Sequence, residues 1–400
     1  MTPVVVYGAS GVLGALVAAE IAARGAPLVL AGRDRRRLEA ARARLPARHG
    51  GGDGPAAADA GIAVAAIHDR AALARAFAGA GVVIGCAGPF RSLGTHLAAA
   101  AVDAGAHLVD VAGDQGYLRR VHEEEDAPAR RRGVVVAPGA GGLGALGDLA
   151  ARWAAEVVLA GDDATGAPAP GSRLADDDPL DEVTVAMAVD GFVPAPAARR
   201  AMIDAATAPG VVWRAGRWDP TRAAARGRTV DFGALGRRPA RSFPAPEIIT
   251  VPRHVAARVV DGYVALPDDP WARGLERLTP LAALAAPLAG LVAPLLETLV
   301  DPTAIPDAEA RARARFAVVA RARKGFAEAQ VRLTGADVYA LAARTVVDAA
   351  LALTAGGVAA DAAGARAPAE LTDARAALRA LERAGALAIE ASFATAASSR

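Results

Sequence analysis

The chain has 400 residues, with 45 Lys and Arg against 43 Asp and Glu, for a formal net charge of +2. That length suggests two domains with ample chain for a buried core, and the near balance of charge, with only short basic runs at 33–37 and 130–132, argues against nucleic-acid binding. Cys86 is the single cysteine, so an intrachain disulfide and a cysteine-rich metal site are both excluded.

The amino terminus opens with an apolar run from Val4, then the turn Gly8-Ala9-Ser10-Gly11-Val12-Leu13-Gly14, then an Ala/Leu/Ile segment to Ala23. A strand that ends on a tight glycine turn at a helix start makes a pyrophosphate site. Glycine admits the phosphates to the backbone, and the unpaired N–H groups of the helix end face the anion. The alternative is a packing turn with no ligand. The second strand, Pro27–Asp34, ends in Gly32-Arg33, where NAD-binding units carry an acid for the ribose hydroxyls. A guanidinium there binds a 2′-phosphate, so the reading is NADP, with Arg33 as the phosphate ligand. Asp34 stays open as a ribose ligand, and Arg35, Arg36 and Arg37 read as the solvated start of a helix 35–45.

Alternation continues with a loop at 49–61, a strand 62–67, a helix 71–78 and a fourth strand 82–87 closed by Gly88-Pro89. A helix 95–104, a fifth strand 107–112, a helix 117–132, a sixth strand 134–137 and a helix 146–155 follow. This pattern predicts a doubly wound parallel sheet. Cys86, Ala87, Gly88, Pro89 and Phe90 end the fourth strand at the edge where such sheets bind ligands. Low bulk lets the Gly-Pro turn lie beside a nicotinamide, and Phe90 would wall the ring. Asp114, at the end of the fifth strand, is either a proton-handling or orienting carboxylate or the N-cap of the next helix. Tyr117 is a second proton donor or a packing residue, with His96 and His107 as weaker candidates.

Beyond residue 156 a loop at 162–181 leads into strands at 183–190, 211–214, 229–232, 248–252 and 258–265, then a hairpin 316–334 around Lys324-Gly325. Two helices, 337–355 and 373–383, close the chain. This predicts an α+β second domain with a mostly antiparallel sheet. The apolar helix 337–355 needs burial and is expected to return to the first domain. Segment 279–296 carries no charge but holds Pro280, Pro287 and Pro294. It reads as two short packed helices, with a membrane-surface patch second and a true span last.

Lys324 is the single lysine, and Ala320 stands four residues before it, so the Tyr-x-x-x-Lys donor of short-chain dehydrogenases is excluded. No Gly-x-Ser-x-Gly elbow and no His-x-x-x-His pair is present. A first strand starting at residue 3 leaves no room for a signal peptide, so a cytoplasmic chain is expected.

Four segments resemble the saccharopine dehydrogenase-like oxidoreductases, a family that includes trans-acting enoyl reductases. They are Gly8–Gly14 with Ala31-Gly32-Arg33; Cys86-Ala-Gly-Pro-Phe90 with Gly94; His107-Leu-Val-Asp-Val-Ala-Gly-Asp114; and Val331–Tyr339 leading into the late helix. The resemblance is good over the first 155 residues, moderate from about 316, and loose between, through Phe243–Arg253. It implies a Rossmann-type NADP-binding domain formed by 1–155 and 336–400, with 156–335 as a substrate and dimerisation domain. It also implies an NADP-dependent oxidoreductase transferring hydride to a C=N or C=C bond of a small or lipid-like substrate. The substrate is expected between Cys86–Phe90, Asp114–Tyr117 and the second domain's sheet. No nucleic acid, metal or membrane span is expected, and a homodimer is the assembly it allows. The alternative is a nucleotide-binding sensor or scaffold without turnover, associated with a membrane surface.

Overall fold

A computed structural model describes residues 2–46, 59–160, 172–207, 209–265, 305–355 and 362–395. Segment 279–296, residues 49–58 of the loop expected at 49–61 and residues 162–171 of the loop expected at 162–181 lie outside the described residues. The chain divides into two compact units, Met1–Gly142 with Tyr339–Leu371, and Leu143–Val338 with Thr372–Arg400.

In the first unit strands and helices alternate: β1 Val4–Tyr7, α1 Val12–Ala23, β2 Leu28–Gly32, α2 Arg35–Ala43, β3 Gly61–Val64, α3 Arg70–Phe77, β4 Val82–Gly85, α4 Phe90–Ala104, β5 His107–Asp110, α5 Gln115–Glu124, α6 Asp126–Arg132 and β6 Val135–Ala137. With the short late strand β15, Gly364–Ala365, they form a seven-stranded parallel sheet of order β15-β6-β5-β4-β1-β2-β3. The strands read as unbroken Val/Ile/Leu runs because a parallel sheet is covered on both faces. On one face Val4, Val6, Val82, Ile84 and Val109 meet Val17, Ala18 and Ile21 of α1. Ala343, Val346, Val347 and Ala350 of the late helix α11, Val338–Ala355, join the same cluster. That helix is long and apolar enough to cross a bilayer, and here it is a core helix of the first unit.

Two elements differ from expectation. Helix α4 starts at Phe90, not 95, and runs through Gly94. A Cβ on Gly94 would lie 2.3 Å from the Tyr117 ring, so this glycine is a packing notch, not a breaker. The single helix expected over 117–132 divides at Glu125 into α5 and α6. Pro128 lacks the N–H that would bond back to Glu124.

The second unit contains α7 Leu143–Ala160, β7 Glu182–Asp190, α8 Pro196–Thr207, β8 Gly210–Arg214, β9 Arg217–Thr221, β10 Gly227–Asp231, β11 Arg237–Ser242, α9 Glu247–His254 and β12 Val259–Ala265. After these come α10 Ala308–Arg313, β13 Arg315–Lys324, β14 Ala327–Ala336, α12 Ala374–Arg383 and β16 Leu387–Thr395. Its nine-stranded sheet runs β10-β11-β12-β7-β13-β14-β16, with β8 paired to β12 and β9 to β8. Only β7 and β12 pair in parallel; the other pairs are antiparallel. The helix expected to end the first domain is α7, which packs instead on β7, β13 and β14, and α12 packs on α7. With β16 extending β14, the second unit therefore takes segments that the sequence partition gave to the first.

The strand expected at 248–252 is helix α9. Pro246 stands at its N-cap, and the helix settles on two glycines of α7. A Cβ on Gly144 would meet Pro246 at 2.7 Å, and one on Gly147 would meet Glu247 Oε1 at 2.2 Å. Tertiary packing here overrides the β-propensity of Ile248, Ile249 and Val251. The same seam buries charge. His254 Nε2 lies 2.9 Å from Asp148 Oδ1, and Arg152 Nε donates to Glu156 at 2.6 Å. The Glu247 carboxyl is buried without a hydrogen-bond partner in any other described residue. Burial first, then Asp148, hold it well above the usual carboxylate range.

Candidate nucleotide site

In the first unit β1 lies between β2 and β4, so the chain leaves β1 toward one side of the sheet and later builds β4 on the other. The turns after β1 and β4 consequently meet at the carboxyl edge, the switch point where such sheets bind ligands. Cys86 N donates to Tyr7 O at 2.8 Å, and Gly8 N donates to Ala31 O at 2.8 Å. Gly8 has φ +89°, and a Cβ there would sit 2.9 Å from Ala87 N. Only glycine meets both demands.

Gly14 and Gly11 have different tasks. A Cβ on Gly14 would lie 2.2 Å from Gly8 O, so Gly14 lets α1 press against the turn. A Cβ on Gly11 meets nothing nearer than Gly8 O at 3.4 Å, so Gly11 faces open space. Ala9 is buried beneath the turn, while Ser10 and Gly11 are exposed and Val12 and Leu13 half-buried. Helix α1 has no side-chain cap at Gly11 and no acid in its first turn. A helix end left bare in this way suits an anion.

Arg33 follows β2 directly, is exposed, and has no ion-pair or hydrogen-bond partner among the described residues. Asp34, the other candidate for the ribose, caps α2 by accepting from Arg37 N at 3.1 Å. One residue is spoken for and its neighbour is free. The residues present fit a dinucleotide bearing a 2′-phosphate: a bare helix end, a glycine facing space and an uncommitted guanidinium.

Opposite the glycine turn, Cys86–Phe90 leads straight into α4, whose N-cap Pro89 is exposed. The Phe90 and Tyr117 rings lie 5.5 Å apart. Burial, then the neighbouring Asp110 carboxylate, push the Cys86 thiol upward, away from nucleophilic chemistry.

The two expected catalytic residues hold structural bonds. Asp114 caps α5, accepting from Tyr117 N at 2.8 Å, and pairs with Arg91 at 2.8 Å. Tyr117 is fully buried, and its hydroxyl donates to Asp110 Oδ2 at 2.5 Å. His107 sits at the amino end of β5, where its Nδ1 accepts from Val135 N at 2.9 Å and burial lowers its pKa. That is the wrong end of the strand for this site. His96 stacks edge-on against His68 at 5.2 Å.

Asp110 is the residue that sequence reasoning passed over. It is fully buried at the end of β5 and accepts from Ala112 N at 2.9 Å, Gly139 N at 2.7 Å and the Tyr117 hydroxyl. Burial is the largest influence on it and pushes its pKa up to about 6 against those three donors. It ties the loops after β5 and β6 to α5. An acid inside the apolar run Leu108-Val-Asp-Val-Ala112 was the available signal.

Residues 4–136 match the family model of the saccharopine dehydrogenase NADP binding domain. The chain is 30% identical over 142 residues to a lipid droplet localized protein of Caenorhabditis elegans, covering 34% of this chain and 32% of that protein. It is 27% identical over 140 residues to a saccharopine dehydrogenase-like oxidoreductase of Rattus norvegicus, covering 33% and 32%. The matched segment thus spans about a third of these relatives. Saccharopine dehydrogenase (L-Glu forming) from Saccharomyces cerevisiae shares the fold, with a TM-score of 0.60 at 12% identity over 99% of this chain and 100% of that one. Residues 4–136 are therefore similar to the saccharopine dehydrogenase NADP binding domain, and the chain as a whole shares the fold of saccharopine dehydrogenase.

Proposed function

We propose that this protein is an NADP-dependent oxidoreductase that reduces a C=N or C=C bond of a small or lipid-like substrate. The observation that supports it best is the free Arg33 beside an Asp34 already committed to its helix, at the edge of a bare-ended glycine turn. The backbone N–H groups at the start of α1 hold the pyrophosphate, and Gly11 lets it approach. Arg33 holds the 2′-phosphate, and Pro89 and Phe90 line the nicotinamide side. Bound NADPH supplies the hydride. Asp110 keeps the strand ends in place beneath the site. Asp114, half-buried at the same edge, handles the proton, with Arg91 orienting its carboxylate. Tyr117 supports that edge from below.

The test is cofactor titration followed by turnover. NADPH is expected to bind at least tenfold tighter than NADH, and Arg33→Ala to remove most of that difference, the worth of a charge-assisted contact of about 1.5–3 kcal/mol. Equal affinities in the parent protein would defeat the NADP reading. Oxidation of NADPH is then followed with imines and enoyl thioesters. A second reading, nucleotide binding without turnover, is favoured by the structural bonds that occupy both Asp114 and Tyr117. Tight NADPH binding with no oxidation by any substrate class, and unaltered binding in Asp114→Asn, would select it.

A further inference from the structure

Successive side chains of a strand point to opposite faces of its sheet, and residues directly across an antiparallel ladder share a face. On β7, Val185 points toward α7, where a Cβ on Gly147 would meet it at 2.9 Å. Glu182 and Thr184 therefore lie on the opposite face. The ladders extend that face across β13 and β14. Thr184 stands opposite Arg321, Glu182 opposite Arg323, and Arg323 opposite Glu328. Arg228 of β10 comes in from the side of β12, its guanidinium 5.1 Å over the Tyr263 ring. Glu182, Thr184, Arg228, Arg321, Arg323 and Glu328 line a cavity of about 220 Å³.

Thr184 is 5% exposed, and its hydroxyl has no hydrogen-bond partner among the described residues. A buried hydroxyl needs a partner, and the cavity is the space this one faces. The guanidiniums beside it are loosely held. Arg228 and Arg323 reach the Glu182 carboxylate only at 3.5 and 3.9 Å, and Arg323 reaches Asp181 at 3.3 Å. Of the three, only Arg321 has a close carboxylate among the described residues, Glu328 at 2.5 Å. Most of their N–H donors are therefore uncommitted there. Around the cavity three guanidiniums face two carboxylates, an excess of positive charge. Asp181 stands outside the lining and accepts from Gly325 N at 2.7 Å.

We propose that this cavity binds a small phosphate-bearing ligand. A phosphate group presents three acceptor oxygens to the guanidiniums and the hydroxyl, whereas a carboxylate presents two. Thr184 donates to one oxygen, Arg321 and Arg323 reach others from neighbouring rungs, and Arg228 closes the site across Tyr263. Glu182 and Glu328 keep the guanidiniums extended over the sheet, so little side-chain freedom is lost on binding. At about 30 Å³ per water the cavity has room for about seven waters. That suits a phosphate with a short carbon chain and is too small for a dinucleotide. The site is independent of the nucleotide reading, because all six residues belong to the second unit.

Isothermal titration calorimetry on the full chain tests it, with inorganic phosphate and glycerol 3-phosphate against chloride at matched ionic strength. Tighter binding of glycerol 3-phosphate assigns the site to a phosphate ester, and equal binding assigns it to the free ion. Arg321→Gln and Arg323→Gln are each expected to weaken binding at least tenfold with the circular dichroism spectrum unchanged. Thr184→Val keeps the volume and removes the hydroxyl, and is expected to weaken binding; Thr184→Ser is expected to restore it. Arg33→Ala, which alters the other phosphate edge, is expected to leave this binding intact. If Thr184→Val fails to fold, the two arginine variants decide the matter, since Arg321 is exposed and Arg323 half-buried. Phosphate giving no more heat than chloride in the parent would overturn the proposal. So would binding that Arg33→Ala abolishes, or that Arg321→Gln or a folded Thr184→Val leaves unaltered.

Discussion

Tyr117 donates its hydroxyl to Asp110 across 2.5 Å, with both side chains wholly buried under the carboxyl edge of the parallel sheet. The bond joins α5 to the end of β5, and Asp110 extends the tie to Gly139 beyond β6. The carboxylate sought at the substrate face is thus accompanied by a second one beneath it, whose task is to hold the backbone. Tyr117→Phe removes the donor and leaves Asp110 with its two backbone N–H groups. It is expected to cost about 1–3 kcal/mol of stability, measured by urea unfolding, with NADPH affinity little changed.

Asp110 also gives the protein a pH signature. Its folded pKa of about 6 exceeds the ordinary 3.8, so the folded state binds its proton more tightly than the unfolded state does. Its contribution is full below about pH 4 and is lost as pH rises through 6. Asp110→Asn is expected to abolish a decline of roughly 2–3 kcal/mol across that window, at about 1.4 kcal/mol per pKa unit. Denaturation curves at pH 4, 5, 6 and 7 for both proteins decide it; parallel curves would count against the buried carboxyl.

The two turn glycines should separate binding from folding. Gly11→Val is expected to abolish NADPH binding with the melting temperature within a few degrees of the parent, because its Cβ enters the space intended for phosphate. Gly14→Ala is expected to destabilise the fold by more than 1 kcal/mol, because its Cβ would lie 2.2 Å from Gly8 O. Thermal melts with cofactor titration distinguish the two, and the reverse pattern would refute the assignment.

In the second unit Glu247 lies between the Gly144–Gly147 groove and the Asp148–His254 pair. Its folded pKa is raised, so its contribution is present below about pH 4.5 and diminishes as pH rises toward the folded value. Glu247→Gln keeps the volume and removes the ionisation. The variant is expected to be more stable than the parent at pH 8 and similar to it at pH 4, in chemical denaturation at the two pH values. A variant less stable than the parent at pH 8 would show that the charge is wanted there.

Gly94 offers a test of packing alone. Gly94→Ala is expected to cost 1–3 kcal/mol, because its Cβ would fall inside the Tyr117 ring contact. Gly113→Ala, which meets nothing within 4 Å, is expected to leave the melting temperature nearly unchanged.

The first unit was legible because its information is local. Val4–Tyr7, Leu28–Gly32 and Val82–Gly85 are apolar runs bounded by turns, and parallel strands need no pairing partner named in advance to be recognised. The glycines at 8, 11 and 14 and the arginine at 33 announce a phosphate edge by chemical type and spacing. The apolar circumference of Val338–Ala355 demanded burial, and the core of the first unit provides it.

What tertiary structure alone decided were the assignments in which two distant segments compete for one residue. Asp34, Asp114 and Tyr117 were each open to two roles; only the folded chain shows the structural bonds that each makes, the caps on α2 and α5 and the bond to Asp110. Ile248–Val251 carries strand-like residues yet forms a helix, because the groove of Gly144 and Gly147 lies 100 residues away in sequence. Strand β16 went unseen for the same reason: its ladder partner, β14, is remote in the chain, and its short alternating pattern has little signal of its own. Local pattern sets the apolar period and the turn chemistry, whereas hydrogen-bond partners, burial of charge and the capping of helices follow from which surfaces the folded chain brings within reach.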